Sequence, residues 1–172
     1  MQKSFACALA VAVGTVLAPG GASAAESPDK EHAELAKALA AVKVSLGSGL
    51  TAAGTAGKPI SAKFEVEDGK LSLSVYTEKD GNFKEVVVDH VTGKVAKSEQ
   101  ITEGEDLTHA KSQSEAMAKA KLSLSAAVSK AVSANAGFHA VSVFPSLKDG
   151  HPVAEVSLHK ASEWRTVTEK LE

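Results

Sequence analysis

The stretch Ser61 to Lys97, SAKFEVEDGKLSLSVYTEKDGNFKEVVVDHVTGKVAK, limits what this chain can fold into more than any other part. Apolar and polar residues alternate through three runs, and each run ends at a turn: Asp68-Gly69, Asp80-Gly81 and Thr92-Gly93. Alternation with period two, broken by glycine-containing turns, specifies an antiparallel meander with one buried face. A two-residue turn at Asp68-Gly69 pairs Val66 with Leu71, Phe64 with Leu73 and Ala62 with Val75, which puts all six on one side. Val86 and Val88 extend that side in the third run, and Lys94 to Lys97 offers a short fourth strand.

Helical patterns flank the meander. Ser27-Pro28-Asp29 reads as a helix start, and Leu35, Leu39 and Val42 line one face of a leading helix. Ser45 caps a second helix, in which Leu46, Leu50 and Ala53 repeat the same spacing. Laid over the meander, that helix makes an α+β unit. Glu99 to Asp106 reads as a polar linker, followed by an Ala- and Lys-rich helix from Thr108 to Lys119.

The pattern then restarts. Lys121 to Gly137 echoes Lys43 to Gly57, with Ser123 matching Ser45 and Leu124 matching Leu46. Phe138 to Pro145, a turn at Asp149-Gly150 and Val153 to Lys160 form a second hairpin, in which Val141 should face Leu158 and Val143 should face Val156. Trp164 corresponds to Phe83 and Val167 to Val86. Two dissimilar copies of one pattern indicate an internal duplication.

The opening 25 residues read as a cleaved signal peptide. Lys3 precedes an uncharged run from Phe5 to Leu17, and Ala22-Ser23-Ala24 fits the small-residue cleavage rule, which places the cut near Ala24 or Ala25. Cys7 goes with that segment, so the exported chain carries no cysteine, hence no disulfide, and relies on its core. The address is the periplasm or the exterior. A formal charge of −2, a single Arg165 and no basic cluster argue against a nucleic-acid partner. No later apolar run is long enough to cross a bilayer.

Val88-Asp89-His90-Val91-Thr92-Gly93-Lys94-Val95, after a Ser-Leu capped Ala-rich helix and a meander, resembles the PepSY domain family, whose units end on a strand of about this form. The first unit fits from Val44 to Glu99. The second, Leu122 to Glu172, fits less closely and stops before a counterpart of the Asp89-to-Gly93 turn. The resemblance implies a non-catalytic module. Such domains occur in propeptides of thermolysin-type peptidases, in a spore-germination protein and in small exported proteins, and peptidase inhibition has been proposed for them. The chain is also similar in outline to exported β-lactamase inhibitors, but those carry disulfides.

The remaining constellations favour structure over chemistry. Asp89, Thr92 and Gly93 read as a turn, in which the aspartate bonds to amides two or three residues on and the glycine supplies a positive φ. Three of the six histidines, His139, His151 and His159, lie in the second hairpin. Its register sets His139 on the face of Val141 and His159 on the face of Ser142, so they should not share an ion. Two S-x-x-K matches, at Ser27 and Ser157, lack the partner motifs that pattern needs. No catalytic residue and no cofactor is expected.

Aromatic residues on the opposite face carry the better lead. Tyr76, Phe83 and Val87 have parity opposite to the core set, as do Phe144 and Trp164 in the second unit. If one helix covers only one face of each sheet, these side chains pack unit against unit or meet a protein partner. The sequence therefore predicts an exported α+β tandem. Its parts are a signal peptide (1–25), a leading helix (26–43), unit 1 (44–99), a linker and helix (100–121) and unit 2 (122–172). The expected role is a non-catalytic binding module acting on a peptidase, with Tyr76, Phe83, Val87, Phe144 and Trp164 as contacts. A small-ligand or metal-binding protein using the second-unit histidines is the alternative.

Overall fold

The computed structural model describes residues 28–172; the expected signal peptide and cleavage site, Cys7 and the cap assigned to Ser27 lie outside the described residues. Helices α1 (Pro28–Leu39) and α2 (Leu46–Ala53) precede strands β1 (Lys58–Glu67), β2 (Lys70–Lys79), β3 (Asn82–Val88) and β4 (Val95–Ile101). Helices α3 (Gly104–Lys119) and α4 (Leu124–Ala134) lead into β5 (His139–Lys148), β6 (His151–Lys160) and β7 (Glu163–Lys170). The fold is mixed helix and antiparallel sheet.

All seven strands form one sheet in the order β4-β3-β2-β1-β5-β6-β7. The two meanders, expected as separate small sheets, are joined where β1 pairs with β5 through Ala62–Val143 and Lys63–Ser142. A meander leaves its first strand with an unpaired edge, and pairing two such edges satisfies the backbone groups of both.

The first hairpin has the expected register: Val66–Leu71, Phe64–Leu73 and Ala62–Val75 are partners. Asp68 and Asp80 take φ of +50° and +52°, followed by Gly69 and Gly81 at +72° and +76°. Two successive left-handed residues make the turn whose twist matches antiparallel strands. Leu73, Val75, Val86 and Val88 are buried beneath Leu46 and Leu50 of α2. Ser45 caps α2 by accepting the Ser48 amide at 3.1 Å. Gly49 lets the helix approach β2 so closely that a Cβ there would overlap the Leu73 side chain. On the same face α4 is capped by Ser123, which accepts the Ala126 amide at 3.2 Å, and it buries Leu124, Ala127, Val128 and Ala131.

Three expectations are corrected. Glu99 to Ile101 is not linker but the end of β4, whose side chains are nearly all exposed. An edge strand is held by backbone bonds to one neighbour, so its side chains need carry no apolar signal. In the second hairpin Val143 faces Val156, but Ala140, not Val141, faces Leu158, because the register shifts between Ala140 and Ser142. That bulge pairs His139 directly with His159, so the two do not lie on opposite faces. Finally, a helix does cover the second face: α3 crosses β1, β2, β5 and β6 there. It begins at Gly104, ahead of the expected Thr108.

Candidate functional site

Tyr76 follows Val75 in β2, so its side chain points away from α2 and towards α3. Its hydroxyl donates to Asp106 Oδ1 at 2.9 Å. Asp106 sits in the first turn of α3, where a carboxylate also favours the helix dipole. Burial, and then the bond and charge of Asp106, hold the Tyr76 phenol far above its usual pKa, so it is a fixed donor. Beside it Ser74 Oγ donates to Glu85 Oε1 at 2.5 Å, and Lys63 pairs with Glu65 at 2.6 Å. Glu65 Oε1 and Gln113 Oε1 are buried with no hydrogen-bond partner. The cavity among Ser74, Tyr76, Asp106, His109, Gln113 and Phe144 is only about 20 Å³, too small for an organic substrate. This polar layer positions α3.

Burial raises the Glu85 carboxyl above its ordinary pKa, against the lowering effect of the Ser74 bond. A carboxyl whose folded pKa is raised contributes stability below its unfolded pKa and loses it as pH rises through the folded value. Glu85→Gln keeps an acceptor for Ser74 and removes the charge. It should raise the thermal midpoint at pH 7, with the gain shrinking towards pH 4. A gain that is independent of pH would show that the buried charge is not its cause.

The five expected contact residues fall into separate environments. Tyr76 and Phe83 are 9% and 8% exposed. Val87, Phe144 and Trp164 are half-buried. Tyr76 and Phe144 meet under α3, whereas Phe83 pairs with Glu78 of β2 and Ile101 of β4. Trp164 lies between two imidazoles: His32 of α1 stacks on it at 4.6 Å and His159 tilts against it at 4.5 Å. Sequence reasoning missed His32, Asp106 and Gln113. Asp106, His109 and Gln113 recur at i, i+3 and i+7, so they share one helix face, but polar residues at that spacing do not announce a buried face.

The Asp89 loop is a closed turn. Asp89 Oδ1 accepts from the Val91 amide at 3.0 Å, the Thr92 amide at 2.6 Å and Thr92 Oγ1 at 2.9 Å, and Gly93 has φ +73°. These bonds hold the Asp89 carboxyl below its ordinary pKa, the Thr92 amide most of all. The next residue ties the loop to the chain entering α2, since His90 O accepts the amides of Lys43 and Val44 at 2.9 and 3.2 Å.

The larger concavity lies on the α2/α4 face. A groove of about 890 Å³ opens between the N-terminus of α2, the helix α4 and the segment joining α1 to α2. Phe64, Leu46, Val128 and Val141 line its buried base, and Val42, Val44 and Val132 its half-buried wall. His139 and His159 both line it. Among the described residues no three His, Cys, Asp or Glu side chains converge as a metal-ligand set. Among the described helices none is long and apolar enough to cross a membrane.

No curated protein and no solved structure matches the chain significantly. A family model does match, over residues 29–99: PepSY, the peptidase propeptide and YPEB domain. The matched span begins in α1 and ends within β4, so it takes in the Ser45 cap, the β1–β3 meander and the Asp89 turn, and it reaches further towards the N-terminus than Val44. The alternation, the capped helix and the closed Asp89 turn thus lie inside one known unit, and over residues 29–99 this chain matches the PepSY family.

Proposed function

We propose that this protein is an exported, non-catalytic pair of PepSY-type units that binds and restrains a peptidase in the periplasm or cell envelope. The family match at residues 29–99 carries the reading, because that family is described by peptidase propeptides. A propeptide acts by occupying its enzyme and needs no reactive group of its own.

A tandem of units 44–99 and 122–172 is supported by correspondences between the halves. Register shifts fall between Pro59 and Ser61 in β1 and between Ala140 and Ser142 in β5. Ser45 and Ser123 cap equivalent helices. The amides of Lys43 and Val44 bond to His90 O, as those of Lys121 and Leu122 bond to Leu171 O. In this reading residues 100–121 supply the helix on the second face, residues 26–43 lead into the first unit beside the groove, and residues 1–25 are removed on export.

Val87, Phe144 and Trp164 keep part of their surface accessible and are the contact candidates, with Tyr76 and Phe83 supporting them from the buried layer. The exposed edge of β4 offers a second contact, to which an extended segment of the partner adds as a strand. The test is hydrolysis of a chromogenic peptide by thermolysin-type peptidases in the presence of the chain exported from its full-length sequence. Saturable inhibition is expected, weakened about ten-fold or more by Val87→Asp combined with Trp164→Ala, with circular dichroism showing that the double variant is folded at the assay temperature. Undiminished hydrolysis under a large excess of folded protein would overturn the proposal.

A further inference from the structure

The groove beside α2 has a chemistry that the peptidase reading does not use. Its volume, about 890 Å³, falls in the range of about 300–1,000 Å³ typical of small-molecule sites. Its base is Phe64, Leu46, Val128 and Val141, and the hydroxyls that also line the groove belong to the exposed Ser45, Ser129 and Ser133. The charges at its mouth are of one sign. Lys43 and Lys160 line it, both exposed, with His139 beside them, and among the described residues no carboxylate lines it. Lys160 Nζ is held by a carbonyl and a ring, 3.4 Å from Ala136 O and 5.6 Å from the Phe138 centroid. His159, which also lines the groove, has a buried Nε2 with no hydrogen-bond partner.

An apolar hollow whose charged lining is cationic complements one kind of ligand. We infer that the groove binds a single-chain amphiphile with an anionic head. The aliphatic chain lies over Phe64 between α2 and α4, and the head meets Lys43 and Lys160. A neutral ligand would gain nothing from the two lysines. A cationic one would be repelled by them. An acidic peptide is poorly suited, because most of the lining is aliphatic and offers its backbone few partners.

The experiment is isothermal titration of the exported chain with four twelve-carbon probes below their micelle-forming concentrations: laurate, dodecyl phosphate, dodecanol and dodecyltrimethylammonium. The two anions should bind one to one, at least about ten-fold tighter than the neutral and cationic probes. Preference between laurate and dodecyl phosphate tells a free fatty acid from a lipid phosphate. Each methylene removed from laurate should weaken binding about four-fold while the chain lies in the groove. Lys43→Glu/Lys160→Glu should abolish the preference for anions, and Val132→Trp, which fills the wall, should abolish binding of all probes. Should Val132→Trp fail to fold, the exposed lysine pair still decides the matter. Absence of one-to-one binding by either anion, equal binding of the cationic probe, or indifference to the lysine pair would overturn the inference. None of these results depends on whether a peptidase is inhibited.

Discussion

Truncating Leu73 to alanine should cost about 2–5 kcal/mol of folding stability, one of the two largest single effects expected in this fold. Leu73 has no exposed surface, lies in the central part of the sheet and is the side chain on which α2 rests. The neighbouring position makes the prediction sharper. Gly49→Ala improves helix propensity by about 1 kcal/mol. It also introduces a Cβ into space that Leu73 occupies, and overpacking of this kind costs about 1–3 kcal/mol. The single Gly49→Ala variant should therefore gain nothing. In the Leu73→Ala background the obstruction is gone and part of the void is refilled. The double variant should then be less destabilised than the two single losses added together, by about 1 kcal/mol or more. Urea midpoints of the four proteins measure this coupling, and strict additivity would mean that α2 does not bear on Leu73.

Tyr76→Ala comes next, at about 3–5 kcal/mol. It removes a buried ring from beneath α3 and leaves Asp106 without the hydroxyl that meets it. Tyr76→Phe separates these contributions, since only the hydrogen bond is lost, at about 1 kcal/mol. Hydrogen exchange localises the damage: amides of α3 should lose protection in Tyr76→Ala while those of α2 keep most of theirs. If α2 and α3 lost protection equally, the ring would be a general core residue and not the fastening of α3.

What could be read from the sequence was the part governed by local rules. The pairing of Phe64 with Leu73 and Ala62 with Val75 follows from an Asp-Gly turn of fixed length and a two-residue period. The caps Ser45 and Ser123 were legible for the same reason, since the bond spans three residues. Features set by distant neighbours were not. The bulge at Val141 leaves no mark, because an apolar β-branched residue suits a bulged and a regular strand alike. The strand nature of Glu99 to Ile101 comes from pairing with β3, not from its own side chains. The cover over the second face was hidden because α3 is rich in alanine and places Asp106 and Gln113 inward. The groove is assembled from α1, α2, β1, α4 and the second hairpin, and no one of those segments announces it.

The join between β1 and β5 has a kinetic consequence. Every other pairing in the sheet links strands that are neighbours in sequence, most of them across two-residue turns, so each can zip up from its own loop. The β1–β5 join unites residues from opposite halves of the chain through just two paired positions. Closing so long a loop exacts its entropy before any contact repays it. The halves therefore collapse first as preformed meanders, and the sheet becomes continuous last. A nascent chain released before β5 is made presents an uncapped β1, ready to accept whichever strand reaches it first.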